Sequence, residues 1–261
     1  MPEPYWTTSA EVYARQVKRI SFYRRTNHEL IAAGQVRPGM VVVDLACGTG
    51  LTIHTLLQSV KAPVRIYAVD GSGTMLDLAR KEIPDLNIWF IQAGAEAFAD
   101  RIPTSVDRVF CNAAFFHFDP PENVLNEVRA VLKPDGWFLF NIPDQDFDFG
   151  DGLTSSMQQQ VAACLDRPNS SRQPRFSYSK IEAMAKHSGL AVRDYRILEI
   201  PIDRDDLLRF YSIPHVGVRW FPDLAPEKRR DVFQRAFQTI PVGKNIIYRW
   251  GQFVLSPLSF L

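Results

Sequence analysis

The chain has 261 residues, 46% hydrophobic and 23% charged, with a formal net charge of +1 at pH 7. That length supports one domain with a large core and an inserted cap. The near-zero charge leaves no global field to draw in nucleic acid or an anionic membrane, and no apolar run reaches the ~18–20 residues that span a bilayer.

The chain opens on Met1-Pro2-Glu3-Pro4, which lacks the basic and apolar regions of a secretory signal. Cys47, Cys111 and Cys164 show no paired spacing, so reduced thiols in a cytoplasmic protein are expected. Local basic clusters such as Lys18-Arg19 and Lys228-Arg229-Arg230 read as solvated helix faces. Residues 1 to about 38 read as helical, with Thr8 or Ser9 as N-cap before Ala10, and a second helix over 22–33 that stops at Gly34.

Next come Val41-Val42-Val43-Asp44-Leu45-Ala46-Cys47-Gly48-Thr49-Gly50, then an amphipathic segment with Leu51, Ile53, Leu56 and Leu57. A buried strand, a tight glycine turn and a helix follow from that pattern. Such a turn presents backbone N–H groups where an anionic ligand group is favoured. The same residues also suit a βα turn that needs glycine for its own geometry. A second apolar run ends in Asp70, at the tip of the next strand, where a carboxylate can accept both hydroxyls of a ribose. A dinucleotide loop of the form G-x-G-x-x-G would need a third glycine where Ile53 stands.

Strands are expected at 41–44, 64–69, 88–92, 106–112 and 136–142, with helices at 51–60, 74–81 and 123–132 between them. This alternation predicts an α/β fold with a mostly parallel sheet covered on both faces, its ligand outside the carboxyl ends of the strands. After Pro143 the chain turns polar and acidic (Asp144, Asp146, Asp148, Gly150, Asp151, Gly152), followed by a Gln-rich helix and a Pro/Ser/Arg loop. The core pattern resumes with a helix over 179–187 and strands over 191–200 and 246–255. An aromatic-rich excursion over 203–241 interrupts it. The chain therefore divides into an N-terminal helical cap (1–38), a ligand-binding core (39–143), a cap segment (144–178) and the end of the core (179–261) with a cap insertion at 203–241.

Three of these stretches carry a family resemblance. Asp44 to Gly50 resembles the D-x-x-x-G-x-G motif of class I S-adenosylmethionine (SAM)-dependent methyltransferases. Residues 68–76 resemble their V-D-x-S-x-x-M-L motif, and Leu132-Lys133-Pro134-Asp135-Gly136 resembles their L-K-P-G-G turn, with Asp135 replacing a glycine. The resemblance implies a Rossmann-like sheet of seven strands with the last one antiparallel, SAM as cofactor, and helical caps over the site. It also implies roles for residues. Ala46, Cys47, Gly48 and Gly50 would line the methionine part, with Asp44 ordering the loop and reaching the amino group. Asp70 would hold the ribose, and Gly71 and Met75 would pack around the adenine.

One segment departs from the family pattern: Gly94, in Ile91-Gln92-Ala93-Gly94-Ala95-Glu96, stands where an Asp normally accepts from the adenine amine. Backbone contact at Ala95 remains, and Glu96 either compensates or starts the next helix, where acids are favoured; the helix is the preferred reading. Losing one such hydrogen bond would weaken binding by ~1 kcal/mol.

The fourth strand runs into Asn112-Ala113-Ala114-Phe115-Phe116-His117-Phe118. By resemblance this end lies beside the transferable methyl, which places Asn112 at the cofactor and Phe116 and His117 at the acceptor. It carries neither the N/D-P-P-Y/F motif of base-modifying amino methyltransferases nor a Pro-Cys pair, so no nucleic-acid partner is expected. His117 is the candidate general base, since an imidazole titrates near working pH; it equally suits a pocket wall. Tyr13, in Ala10-Glu11-Val12-Tyr13, resembles a residue that closes over the cofactor in small-molecule methyltransferases. His28, His54, His187 and His215 show no metal-ligand spacing and read as exposed or structural, and methyl transfer from a sulfonium needs no metal. The expected activity is methylation of O, N or C on a small apolar or aromatic molecule. A non-methylating SAM enzyme, such as a cyclase, and a NAD-binding oxidoreductase are the alternatives; the oligomeric state stays open.

Overall fold

The protein is described from a computed structural model that covers residues 5–60, 63–84, 87–151, 155–168, 174–218 and 220–258. Residues 1–4, Gly152 and most of the Pro/Ser/Arg loop (169–173) lie outside the described residues. Two helices, α1 (Tyr5–Val17) and α2 (Ser21–Gly34), precede the first strand, β1 (Val41–Leu45). Then follow α3 (Leu51–Ser59), β2 (Arg65–Asp70), α4 (Gly73–Glu82), β3 (Ile88–Gln92), β4 (Val106–Cys111), α5 (Pro121–Val131) and β5 (Leu132–Pro143). The remainder comprises β6 (Phe147–Asp148), α6 (Ser156–Cys164), β7 (Phe176–Ser177), α7 (Tyr178–His187), β8 (Leu190–Ile202), α8 (Arg204–Tyr211), α9 (Pro226–Phe237) and β9 (Ile246–Pro257).

Seven strands form one sheet in the order β3-β2-β1-β4-β5-β9-β8. All neighbours pair parallel except β9, which runs antiparallel to both β5 and β8. The near-continuous apolar strands follow from burial on both faces. Val42, Ile66, Ala68, Phe110 and Leu139 pack in one layer with Leu30, Ile31, Ile53, Leu56 and Leu76 of α2, α3 and α4. Their alternates Val43, Val69, Val109, Phe138 and Phe140 pack with Val124 and Val128 of α5 and with Ile181 and Ala185 of α7. A third cluster, outside the sheet's carboxyl end, joins Phe22 and Tyr23 of α2 to Met157, Leu207, Tyr211, Phe233, Tyr248 and Trp250.

The expected Rossmann-like sheet with one antiparallel strand is therefore present, and each expected strand and helix lies close to its place, while β6, β7, α8 and α9 have no counterpart among the expected elements. Three details differ. First, α1 begins at Tyr5, so Thr8 and Ser9 lie inside the helix instead of capping it, and Ser9 is buried there. Second, Glu96 does not open a helix. The Ala97 N–H closes a turn onto the Gly94 carbonyl at 3.1 Å, and only a single 3₁₀ turn follows, at Ala99–Arg101. The short link to β4, with Ile102 and Pro103 closing it, leaves no room for more. Third, β5 starts at Leu132, which pairs with Val106, while the Lys133–Gly136 turn bulges out before the ladder resumes at Arg108 and Trp137. A Cβ on Gly136 would sit 3.0 Å from the Val106 carbonyl oxygen, so glycine permits that close approach. Among the described residues, no helix is long and apolar enough to cross a membrane.

Candidate active site

The turn after β1 is held by backbone that favours small residues. Ala46 (φ 56°), Gly48 (φ 53°) and Gly50 (φ 84°) are left-handed, a conformation that costs an alanine ~1–2 kcal/mol and a glycine almost nothing. The Cys47 N–H donates to the Val69 carbonyl at 3.0 Å, tying the turn to the end of β2. Asp70 adds a second tie. Its Oδ2 accepts from the Gly48 N–H and its Oδ1 from the Ser72 N–H, both at 2.8 Å. Burial pushes the Asp70 carboxyl up, and those two donors pull it back. Ser72 caps α4 by accepting from the Met75 N–H at 3.4 Å.

These turns wall a cavity of about 210 Å³ at the carboxyl ends of β1, β2 and β4. Ala46, Gly48, Asp70, Gly71, Met75, Ala95, Asn112, His117 and Tyr13 all line it, so nine sequence-predicted residues meet in one space. Tyr13 of α1 stands over the turn, 3.7 Å from where a Gly48 Cβ would be. Burial, then the neighbouring Tyr23 and Asp70, raises its phenol well above the usual value, so it stays neutral.

The other predicted cofactor residues lie elsewhere. Asp44 is buried beneath the turn, and its Oδ2 has no hydrogen-bond partner among the described residues. Burial, then Asp70, pushes its carboxyl well up, which is the environment that an incoming ammonium group relieves. Cys47 packs into the α2–α4 layer. Gly50 faces α4, where a Cβ would meet Ile83 Cδ1 at 2.6 Å, so glycine lets the turn close against the end of that helix. Glu96 is exposed outside the cavity, but its carboxylate folds back over Gly94, with Oε1 2.5 Å from where a Cβ at 94 would be. It thus fills the space of the missing side chain.

At the end of β4 the chain makes a second left-handed alanine, Ala113 (φ 53°), then a 3₁₀ turn over Phe115–His117. Fully buried Phe115 anchors that turn, its ring 4.2 Å from that of Phe140. The anchor leaves Phe116 and His117 facing outward, their rings 4.3 Å apart. Phe116 and His117 line a second chamber of about 510 Å³, and among the described residues His117 is common to both spaces.

The walls of this chamber come from distant parts of the chain. Phe22 and Tyr23 belong to α2; Gln145, Asp146 and Met157 follow β5; Phe210, Tyr211, His215 and Trp220 lie around and after α8; and Tyr248 and Trp250 sit on β9. Phe22 lies 5.1 Å from Tyr248 and 6.1 Å from Trp250, ring to ring. The Tyr248 hydroxyl donates to Gln145 Oε1 at 2.9 Å. Arg229 of α9 donates to the carbonyls of Pro214, Phe221 and Leu224, pinning the loop that carries His215 and Trp220. Burial, then His117, lowers the His215 imidazole to about 3, so it is neutral.

Sequence reasoning named Phe116 and His117 in this chamber but missed Phe22, Tyr23, Tyr248, Trp250 and His215. The aromatic density of 203–241 was a signal for part of it. Nothing local marked α2 or β9.

SAM carries an ammonium, a carboxylate, a ribose and an adenine. Orphaned Asp44, the small-residue cradle at Gly48 and Gly94, and the Asp70 carboxylate suit those groups. A family model described as a methyltransferase domain matches residues 43–140. Trans-aconitate 2-methyltransferase of Paracidovorax citrulli is 32% identical over 229 residues, covering 82% of each chain. Malonyl-[acyl-carrier protein] O-methyltransferase of Halalkalibacterium halodurans is 32% identical over 123 residues, 45% of each. The match spans less than half the length of two of the curated relatives. A SAM-dependent methyltransferase from Geobacter sulfurreducens, solved with S-adenosyl-L-homocysteine, shares the fold with a TM-score of 0.56 at 17% identity, over 89% of this chain and 90% of that one. On the motif-bearing sheet, the cavity at its carboxyl end and a relative aligned over most of its length, the chain belongs to the class I SAM-dependent methyltransferases.

Proposed function

We propose that this chain moves a methyl group from SAM to O, N or C of a small, apolar or aromatic organic acceptor, with SAM in the smaller cavity and the acceptor in the larger. The observation that carries this reading is His117, the residue common to both spaces among the described residues. When bound, SAM supplies a methyl carbon already activated on a sulfonium, open to in-line displacement.

The protein's task is then to orient and to move a proton. The aromatic walls hold the acceptor's plane and keep water out, as suits a ligand with a large apolar area. A ring nitrogen of His117 takes the proton that the acceptor's O–H, N–H or C–H gives up. That leaves the acceptor an electron pair with which it would take up the methyl that SAM supplies, the C–S bonding electrons staying with sulfur. Asp70 and Asp44 serve the ribose and ammonium, while Ala46, Gly48, Gly71, Met75 and Ala95 shape the seat.

The cap reading of residues 1–38, 144–178 and 203–241 is supported by all three contributing chamber walls. Free Cys47, Cys111 and Cys164 suit a reducing, cytoplasmic setting, and a small molecule, with neither nucleic acid nor membrane, is the proposed partner.

The test is a screen of small aromatic and apolar metabolites with SAM, read by mass spectrometry for a methyl gain and for S-adenosylhomocysteine. Release of S-adenosylhomocysteine with a methylated product is expected, and His117→Ala should cut turnover at least 100-fold and remove the acidic limb of its pH profile. A product without the methyl, or a His117→Ala variant with unchanged turnover across pH, would overturn the scheme.

A further inference from the structure

Asn141 of β5 is wholly buried and sits behind the end of β4. Its Oδ1 accepts from the Ala113 N–H at 2.7 Å. A backbone N–H can only donate, so this bond settles which side of the Asn141 amide is oxygen. Its Nδ2 therefore faces Asn112 and donates to Asn112 Oδ1 at 2.6 Å. With that oxygen turned to the interior, the N–H₂ of Asn112 is what remains for the cavity that Asn112 lines.

The surroundings tell which ligand group such donors would meet. In the strand order, β2 and β4 flank β1 on opposite sides, which sets the tips of β2 and β4 about 10 Å apart. Asp70 makes the β2 tip acidic, and Asp44 lies beneath the β1 turn. An anion in this cavity is repelled there and finds donors at the β4 tip.

We infer that Asn141 is a positioning residue: it holds the Asn112 amide with its N–H donors toward the carboxylate at the amino-acid end of SAM. This rests on the smaller cavity being the SAM seat. Asn141 touches no ligand itself and acts through Asn112.

The experiment compares S-adenosylhomocysteine, which keeps the carboxylate, with its decarboxylated analogue, which lacks the carboxylate and keeps the amine, by calorimetry on the full chain. Asn141→Thr keeps an oxygen for the Ala113 N–H and removes the amide donor. It should weaken S-adenosylhomocysteine at least fivefold and the decarboxylated analogue by less than twofold. Asn112→Asp, at the cavity rim, should weaken the first ligand more than tenfold and spare the second, and it carries the test alone if Asn141→Thr shows no melting transition. Equal losses for both ligands in either variant, or no loss of S-adenosylhomocysteine affinity, would overturn the clamp. Failure of the unmodified protein to bind S-adenosylhomocysteine would overturn the cavity assignment as well.

Discussion

The two adjoining spaces are built from opposite materials. The smaller cavity is walled largely by backbone and small residues, with Tyr13, Met75, His117 and Phe118 beside them, many drawn from the turns after β1, β2 and β3, each within a few residues of its strand. The chamber beside it is walled mainly by large aromatic side chains, with Gln145, Asp146, Gln158 and Arg175 among them, that meet only because α2, the segments after β5 and α8, and β9 converge. A ligand recognised by main-chain N–H groups and the absence of side chains leaves a local trace, because glycine and alanine must stand at fixed spacings. One recognised by ring faces leaves a scattered trace, since any large apolar residue can supply a face.

The largest way to break this contrast is Phe22→Ala. Phe22 is 1% exposed, with four aromatic neighbours at 4.6–6.1 Å, so its removal should cost ~3–5 kcal/mol of stability in denaturant unfolding. Under folding conditions S-adenosylhomocysteine affinity should stay within about twofold by calorimetry, a difference of ~0.4 kcal/mol; a collapse of both together would merge the two regions into one. Gly48→Val tests the other side. A β-branched residue at φ 53° facing Tyr13 should weaken S-adenosylhomocysteine by ~2 kcal/mol or more, roughly thirtyfold, with little change in the aromatic near-ultraviolet spectrum of the caps.

Two buried groups by the chamber should tilt stability with pH in opposite senses. Burial raises the Asp144 carboxyl from 3.8 to about 7, so the fold loses stability as pH rises across that window. His215, lowered from 6.5 to about 3, makes the fold lose stability as pH falls across its own window. Asp144→Asn should therefore gain at least ~1 kcal/mol near pH 8, and His215→Asn at least ~1 kcal/mol near pH 4, by urea unfolding at each pH. A flat pair of difference curves would show neither group to be so disfavoured when charged. The smallest effect is expected from Glu96→Ala, ~1 kcal/mol weaker for S-adenosylhomocysteine. An S-inosyl analogue without the adenine amine should not register it if the carboxylate over Gly94 replaces the absent acid.

Legibility in the sequence followed the same division. β1 to β4 and their helices announce themselves through apolar runs that change period at glycine turns, as in Val41 to Gly50. That the last strand runs antiparallel came only with family resemblance, and its place between β5 and β8 only with the structure, because pairing across the sheet has no local signature. The two-residue pair β6–β7 is too short to show any period. Glu96 reads as a helix start by its chemistry, yet its environment is decided by the turn at Gly94. Asn141 sits among apolar residues of a buried strand and carries no mark of what it faces. The chamber's rings were visible as residues and invisible as neighbours: Phe22 and Tyr248 stand 226 positions apart by their numbers.

The Asp70 carboxylate, with one backbone amide on each oxygen, bears on how binding heats should be read. Because Gly48 and Ser72 are tethered by the protein's own Asp70, the two turns arrive at the encounter with most of their disorder spent. A loss of affinity in an Asp70 variant would thus mix a missing contact with slackened turns. The second share shows as a larger unfavourable entropy for every ligand of the cavity, including fragments that carry no ribose.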